Sequence, residues 1–393
     1  MTFPSAFPAS RLPDPMEAPA LRWGILGTGW IAEKFTGSLH RNTRQQVVAV
    51  GSRSVESAKN FAEKVAIGRA HGSYDDLVAD PEVDVVYVAT PHNFHHGHAL
   101  LALDAGKHVL VEKPIALNGV EGSQVAARAA ERGVFCAEAM WTFFLPKFDV
   151  VRQLLDDGVL GDVRTLLADH GEWFPDTHRI LRHDLAGGAL LDLGTYPLAL
   201  ASWVLGEPEE VIAIGQDVPG GEVHGQVSTL LRHAGGAQSA INTTIMADTP
   251  NRAVLAGTEA TLVTDPGFFF PGDMTLTSAG KESTIRYTEP AIGHDGLYVT
   301  AVEAARRITA GETGTPLRPL ADSVATLRYS EPAIGHEGLY VTAVEAARRI
   351  TAGETGTPLR PLTDSVATLR VVDEIRRQIG VTFLEESAPG VPR

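Results

Sequence analysis

This sequence predicts two domains: a doubly wound α/β parallel sheet, then an α+β unit built on an open-faced, largely antiparallel sheet. Three observations point there. From residue 21 to about 140, short apolar runs alternate with helical patterns, as in a parallel sheet with right-handed crossovers. A glycine-rich turn, Gly27-Thr28-Gly29-Trp30-Ile31-Ala32, directly follows the first of those runs. After about residue 160 the runs lengthen and mostly lose their intervening helices, which is how antiparallel sheets read.

The elements follow in order. The first 20 residues hold five prolines and no apolar core of a signal peptide, so residues 1–20 read as a flexible arm. Buried strands are predicted over 21–26, 46–51, 83–89, 108–111 and 134–137. Helices are predicted over 31–42, 54–65, 94–105 and 118–132. In the second domain, 141–393, strands are predicted over 163–170, 210–216, 226–233, 238–247 and 252–263, with one helix over 195–205. Residues 286–327 and 328–369 then form a tandem repeat with a period of 42 residues, differing only at Thr288/Ser330, Asp295/Glu337 and Ala321/Thr363. Each copy carries an amphipathic helix (298–310, 340–352), a Pro-rich turn (315–319, 357–361) and the start of a second helix near Asp322 or Asp364. Two units are too few for a solenoid, so one copy should fill the native place and the other be an insertion. The second copy is expected to be the native one, because it continues into a terminal helix.

Composition limits the function. The chain has 393 residues, a net charge of −15 and a hydrophobic share of 44%, ordinary for a soluble globular protein. The negative charge opposes nucleic-acid binding, which needs clustered Lys and Arg. Cys136 is the sole cysteine, which excludes an intrachain disulfide and a cysteine-based zinc site. No metal site is expected. The longest apolar stretch, 189–205, carries Asp192, Gly194 and Pro197 and falls short of a membrane span. A cytoplasmic protein without a membrane partner is the expectation.

The glycine turn fits a dinucleotide. Its first glycine, Gly27, permits the tight turn, and Gly29 lets backbone approach a pyrophosphate. Ala32 lets helix and strand pack closely, and the helix N-terminus at Trp30 and Ile31 favours the anion. The second strand ends Val50-Gly51-Ser52-Arg53-Ser54, with no acid before Glu56. NAD sites usually carry an acid there for the ribose hydroxyls. Arg53 could instead pair with a 2′-phosphate and Ser52 could donate to it, which favours NADP over NAD. Thr90, Pro91, His92 and His95 follow the fourth strand and should line the ribose–nicotinamide side.

The fifth strand ends in Val111-Glu112-Lys113-Pro114 on the same sheet edge. A cation there can orient a hydroxyl and lower the pKa of a neighbouring phenol. A later segment, Gly188-Ala189-Leu190-Leu191-Asp192-Leu193-Gly194-Thr195-Tyr196-Pro197, should start a helix near residue 193 or 194, because Pro197 is tolerated in a first turn. Asp192 would be either its N-cap or a group on the same face as Tyr196. A Lys113/Asp192/Tyr196 trio is reasonable chemistry, with Tyr196 as acid/base. Trp141, Phe143, Phe174, His178 and Arg179 are candidates for a substrate wall suited to a sugar face or a cyclic diol.

These segments together resemble the Gfo/Idh/MocA oxidoreductase family. Ala137-Glu138-Ala139-Met140-Trp141 and Asp192-Leu193-Gly194-Thr195-Tyr196 are most similar to its branch of dimeric dihydrodiol dehydrogenases and NADP-dependent D-xylose dehydrogenases. The resemblance implies a Rossmann domain over 21–140 and catalytic roles for Lys113 and Tyr196. It also implies a homo-oligomer, a dimer or tetramer, built through the C-terminal sheet. Phe143 stands where the branch commonly has a charged residue, and the repeat is no feature of the family. The expected activity is NADP-dependent hydride transfer at a secondary alcohol of a sugar or cyclic diol. The alternatives are a glucose-fructose oxidoreductase type that keeps its NADP and a non-catalytic NAD(P)-sensing regulator.

Overall fold

The computed structural model describes residues 3–12, 15–289 and 340–383. The first half contains β1 (Arg22–Leu26), α1 (Trp30–Asn42), β2 (Gln46–Gly51), α2 (Val55–Lys64), β3 (Arg69–His71) and α3 (Tyr74–Val78). It continues with β4 (Val85–Val88), α4 (His95–Asp104), β5 (His108–Val111), α5 (Gly119–Arg132) and β6 (Cys136–Glu138). The strands form one parallel sheet in the order β3-β2-β1-β4-β5-β6. The order reverses between β1 and β4, and the crevice at their carboxyl ends is where such sheets bind ligands. The central strands are fully buried, Ile25, Leu26, Val85 and Val109 among them, which is why their apolar runs are continuous in the sequence.

The second half contains α6 (Pro146–Asp156), β7 (Val163–Gly171), α7 (Thr195–Leu205), β8 (Pro208–Asp217), β9 (His224–His233), β10 (Gln238–Thr244), β11 (Ala253–Gly257) and β12 (Ala260–Thr264). After these come β13 (Met274–Ser278), β14 (Thr284–Tyr287), α8 (Tyr340–Thr351) and α9 (Leu362–Ile379). The eight strands lie in the order β14-β13-β12-β11-β7-β10-β9-β8. Only β7 and β10 run parallel. The expected single strand over 252–263 is a hairpin, β11 and β12, paired antiparallel.

Three expectations change. Residues 3–12 of the arm are tied down: Arg11 grips Asp149 Oδ1 through Nη2 at 2.7 Å and Nε at 3.1 Å, and Phe7 packs edge-on to Tyr287. Helical backbone begins at Ala189, before the predicted start, with a π turn over Leu190–Gly194 feeding α7. Asp192 therefore sits inside a helical run and is not its N-cap. Finally, the two C-terminal helices, expected with the second domain, also pack on the first half of the chain. α8 packs back on α1 and β5, and α9 lies against both α5 and β8. Gly119 N–H donates to Asp373 Oδ2 at 2.8 Å on one side of α9, and Gln378 bonds the backbone of Val211 and Ala213 on the other.

The repeat is shared out. Arg286, Tyr287 and Glu289, from the first copy, complete the edge of the sheet, whereas α8 and the start of α9 come from the second copy. The predicted helix and turn of the first copy, at 298–310 and 315–319, lie outside the described residues. The 23-residue stretch His183–Leu205 is long and apolar enough to cross a membrane by length and composition, and 72% of its apolar window is buried inside the protein.

Candidate active site

Gly27 adopts φ +112°, and a Cβ there would stand 2.7 Å from the Ala89 carbonyl oxygen. The turn thus passes directly over the end of β4, which only glycine permits. A Cβ on Gly29 would meet nothing within 4 Å, so the space beside the α1 N-terminus is open. His92, at the end of β4, is buried and its Nδ1 has no hydrogen-bond partner among the described residues. An open glycine cradle at a helix N-terminus and an orphaned imidazole nitrogen beside it fit a dinucleotide. Arg53 and Ser54 are exposed at the tip of β2, and no carboxylate ion-pairs Arg53 among the described residues. Ser52 is buried and Ser54 caps α2. Thr90 and Pro91 line the β4 end.

Two residues expected to touch the cofactor are held by bonds within the fold. His95 is fully buried, its ring nitrogens 2.6 Å from the Pro114 carbonyl and 2.7 Å from that of Thr90. It clamps the β4 loop to the β5 loop. Glu112 is buried too, accepting from the Tyr87 hydroxyl and, at 3.1 Å, from Lys113 N–H. Burial pushes its carboxyl up to about 6.

Lys113, Asp192 and Tyr196 do come together. The Lys113 ammonium donates to Asp192 Oδ1 and to the Asp192 carbonyl, both at 2.8 Å, and lies 5.1 Å from the centre of the Tyr196 ring. Arg179 reaches Asp192 Oδ2 at 3.0 Å, and His92 Nε2 stands 3.9 Å from Oδ1. The burial of the group disfavours the carboxylate, but Lys113 and Arg179 overcome that and hold Asp192 well below the ordinary carboxylate range. Burial opposes charge on Lys113 as well, and Asp192 outweighs it, raising the ammonium to about 12. Tyr196 is raised above 10 by burial, with Lys113 pulling the other way.

The helix geometry explains how a carbonyl became available to the lysine. Pro197 has no N–H, so the Leu193 carbonyl lacks its i→i−4 donor, and His170 Nδ1 lies 3.1 Å from it. The Asp192 carbonyl, inside the π turn, accepts from Lys113 Nζ.

Trp141 is buried and its indole N–H donates to the Tyr196 hydroxyl at 3.4 Å. Phe174 stacks on His178 at 4.5 Å, on the loop that also carries Arg179. Phe143 is placed elsewhere: it packs on Phe148, Trp203 and the Arg360 guanidinium in the core, so it does not belong to the substrate wall. Among the described residues no cluster of His, Cys, Asp and Glu could hold a metal ion.

Both halves match family models: residues 21–140 the oxidoreductase family with an NAD-binding Rossmann fold, and 148–263 the GFO/IDH/MocA C-terminal domain. The chain belongs to the Gfo/Idh/MocA oxidoreductase family. Among curated Gfo/Idh/MocA relatives, the trans-1,2-dihydrobenzene-1,2-diol dehydrogenase of Mus musculus is 36% identical over 315 residues, covering 77% of this chain and 93% of its own. The Homo sapiens protein of the same name is 34% identical over 311 residues, with the same coverage. Among solved structures, a 3-ketoreductase from Actinomadura kijaniata in complex with NADP superposes with a TM-score of 0.73 at 23% identity, covering 92% of this chain and 98% of that one. A levoglucosan dehydrogenase in complex with NADH gives a TM-score of 0.75 at 18% identity, covering 95% and 100%. Both share the fold.

His170 and Phe269 join the site without having stood out in the sequence. Their rings stack 4.0 Å apart, and they stand 5.3 Å and 5.1 Å from the Tyr196 ring. The one available signal is Phe268-Phe269-Phe270, an apolar run between Pro266-Gly267 and Pro271-Gly272, too punctuated to be a strand. His170 has none, because its place depends on β7 pairing with β10.

Proposed function

We propose that this chain is an NADP-dependent dehydrogenase acting on a secondary alcohol of a sugar or cyclic diol. The observation that carries this reading is the Lys113 ammonium, bonded to Asp192 and poised 5.1 Å over the Tyr196 ring. The bound nicotinamide supplies the hydride acceptor. Tyr196 takes the proton of the substrate hydroxyl, and returns it in the reducing direction. Lys113 stabilises the phenolate by charge, and Asp192 holds the lysine in place. Trp141 donates to the Tyr196 hydroxyl and packs edge-on to Phe270. Phe174, His178 and Arg179 border the loop side. Gly27, Gly29, Trp30 and Ile31 would hold the pyrophosphate, and Arg53 a 2′-phosphate. The trans-1,2-dihydrobenzene-1,2-diol relatives support the diol class.

Assembly through the sheet is part of the proposal. On the open face, Ile212, Leu230, Ala240, Leu167, Val254 and Val263 are paired neighbours in one row across six strands. Leu230 is 57% and Ile212 53% exposed, a contiguous apolar surface that a second copy would cover. Sedimentation of Leu230→Arg as a monomer, against an oligomeric parent, checks it.

The deciding experiment follows NADP+ reduction optically with D-xylose, D-glucose and a trans-dihydrodiol, comparing the parent with Tyr196→Phe. Turnover with one substrate, falling roughly 10²–10⁴-fold in the variant while NADPH binding persists, is the expected result. A variant with near-normal turnover removes Tyr196 from the chemistry. Folded parent that binds NADPH but turns over nothing favours a sensor.

A further inference from the structure

We propose that the slot occupied by α8 accepts either of two segments of this chain with the same sequence, residues 340–351 or residues 298–309. The slot is formed by α1, β5 and the turn Trp141–Phe144. α8 fills it with Ala343, Val344, Ala346 and Ala347, all at 0% exposure, and with the buried pair Glu345 and Arg348. Each of these has the same residue 42 positions earlier, Val302 for Val344 and Glu303 for Glu345 among them. The three positions at which the copies differ all lie outside the helix. Contacts within the slot therefore do not distinguish the two occupants.

A buried carboxylate would normally make a helix specific to its site, because its partners must be there. Glu345 is satisfied from within its own copy: by Arg348 Nη2 and Arg349 Nε at 2.7 Å and by Thr357 Oγ1 at 2.9 Å. Arg306, Arg307 and Thr315 are the same residues in the first copy. Residues 298–309 would thus come to the slot with the same charge partners in their own copy.

The connections are symmetrical as well. With α8 in place, 52 residues (288–339) join β14 to the helix and 10 (352–361) join the helix to α9. With residues 298–309 in place, 10 residues (288–297) precede the helix and 52 (310–361) follow it. Loop closure depends on the logarithm of length, so exchanging a long and a short connection leaves its cost unchanged. The short connection would start close to the slot, because Glu289 accepts from Lys147 N–H at 3.1 Å, three residues along the chain from the turn that α8 packs on.

Three variants of the full chain test this: Val344→Asp, Val302→Asp and both together, read by thermal unfolding and by NADPH fluorescence. Disabling one of two equal occupants removes about a factor of two in statistical weight. Each single variant should therefore fold and bind NADPH like the parent, while the double variant loses the folded state. Collapse of Val344→Asp alone would show that the second copy holds the slot exclusively. A double variant that still folds would show that the slot needs neither helix. Either of these results overturns the proposal.

Discussion

Lys113 and Asp192 meet twice: the ammonium lies 2.8 Å from the carboxylate and 2.8 Å from the carbonyl of the same residue. Both side chains are nearly buried, at 13% and 9% exposure. Breaking such a pair on one side leaves a desolvated charge, which costs about 3 kcal/mol. Asp192→Asn should lose about that much in urea unfolding, while Lys113→Met/Asp192→Leu regains most of it. The pH dependence has a definite sign. Lys113 is raised from 10.5 to about 12, so its contribution is complete below 10.5 and fades as pH rises through 12. Asp192 is depressed below 3.8, so its contribution is complete above that value and fades as pH falls further. The difference between parent and Asp192→Asn should be flat from about pH 5 to 9. A slope in that window would show that another group titrates with the pair.

Removing the lysine should change the pH at which alcohol oxidation begins. Burial raises the Tyr196 phenol and Lys113 opposes it. In Lys113→Met burial acts alone, so the phenol titrates at higher pH and less phenolate is present near neutrality. A phenol whose titration moves up by about one pH unit carries about tenfold less phenolate there. The profile of kcat/KM against pH should move to the alkaline side. An unmoved profile with lower turnover would limit Lys113 to orienting the substrate.

The two glycines of the nucleotide turn should separate folding from binding. Gly27 holds φ +112° with its missing Cβ 2.7 Å from the Ala89 oxygen, so Gly27→Ala should destabilise by about 1–3 kcal/mol. Gly29 has φ −78° and open space around it. Gly29→Ala should keep the parent melting temperature and lose NADPH affinity, because its methyl occupies the space that the pyrophosphate needs. Equal melting losses in both variants would place Gly29 among the folding glycines.

The parts legible in the sequence are those whose cause is local. The strands β1, β2, β4 and β5 are largely buried on both faces and read as unbroken apolar runs, and the turn after β1 carries its own glycines. β3 is three residues, Arg69-Ala70-His71, half-exposed at a sheet edge, with no apolar run to notice. β11 and β12 read as one strand because their turn, Gly257-Thr258-Glu259-Ala260, has a single turn-forming residue. Phe143 reads as a candidate for the substrate wall alongside Trp141, yet the short helical turn sends the two side chains to different surroundings. Pro197 points to a helix start near residue 193 or 194 because proline is tolerated in a first turn. The π turn allows the helix to begin earlier, and that depends on His224 accepting from Leu190 N–H at 3.0 Å, a tertiary contact.

The proposed preference for NADP rests on Arg53. It is exposed at the end of β2, and no carboxylate neutralises it among the described residues. β2 pairs directly with β1, whose carboxyl end carries the glycine turn, and in sheets of this topology the adenosine ribose binds near the end of that second strand. A charge-assisted hydrogen bond from arginine to phosphate contributes about 1.5–3 kcal/mol. Arg53→Ala should then weaken NADP binding by about tenfold or more and leave NAD nearly unchanged. Arg53→Glu should go further, because a carboxylate repels the 2′-phosphate and can accept from the ribose hydroxyls of NAD. Dissociation constants for both cofactors against all three proteins check this. Equal losses for NAD and NADP would make Arg53 a residue of the turn, and the phosphate would need another partner.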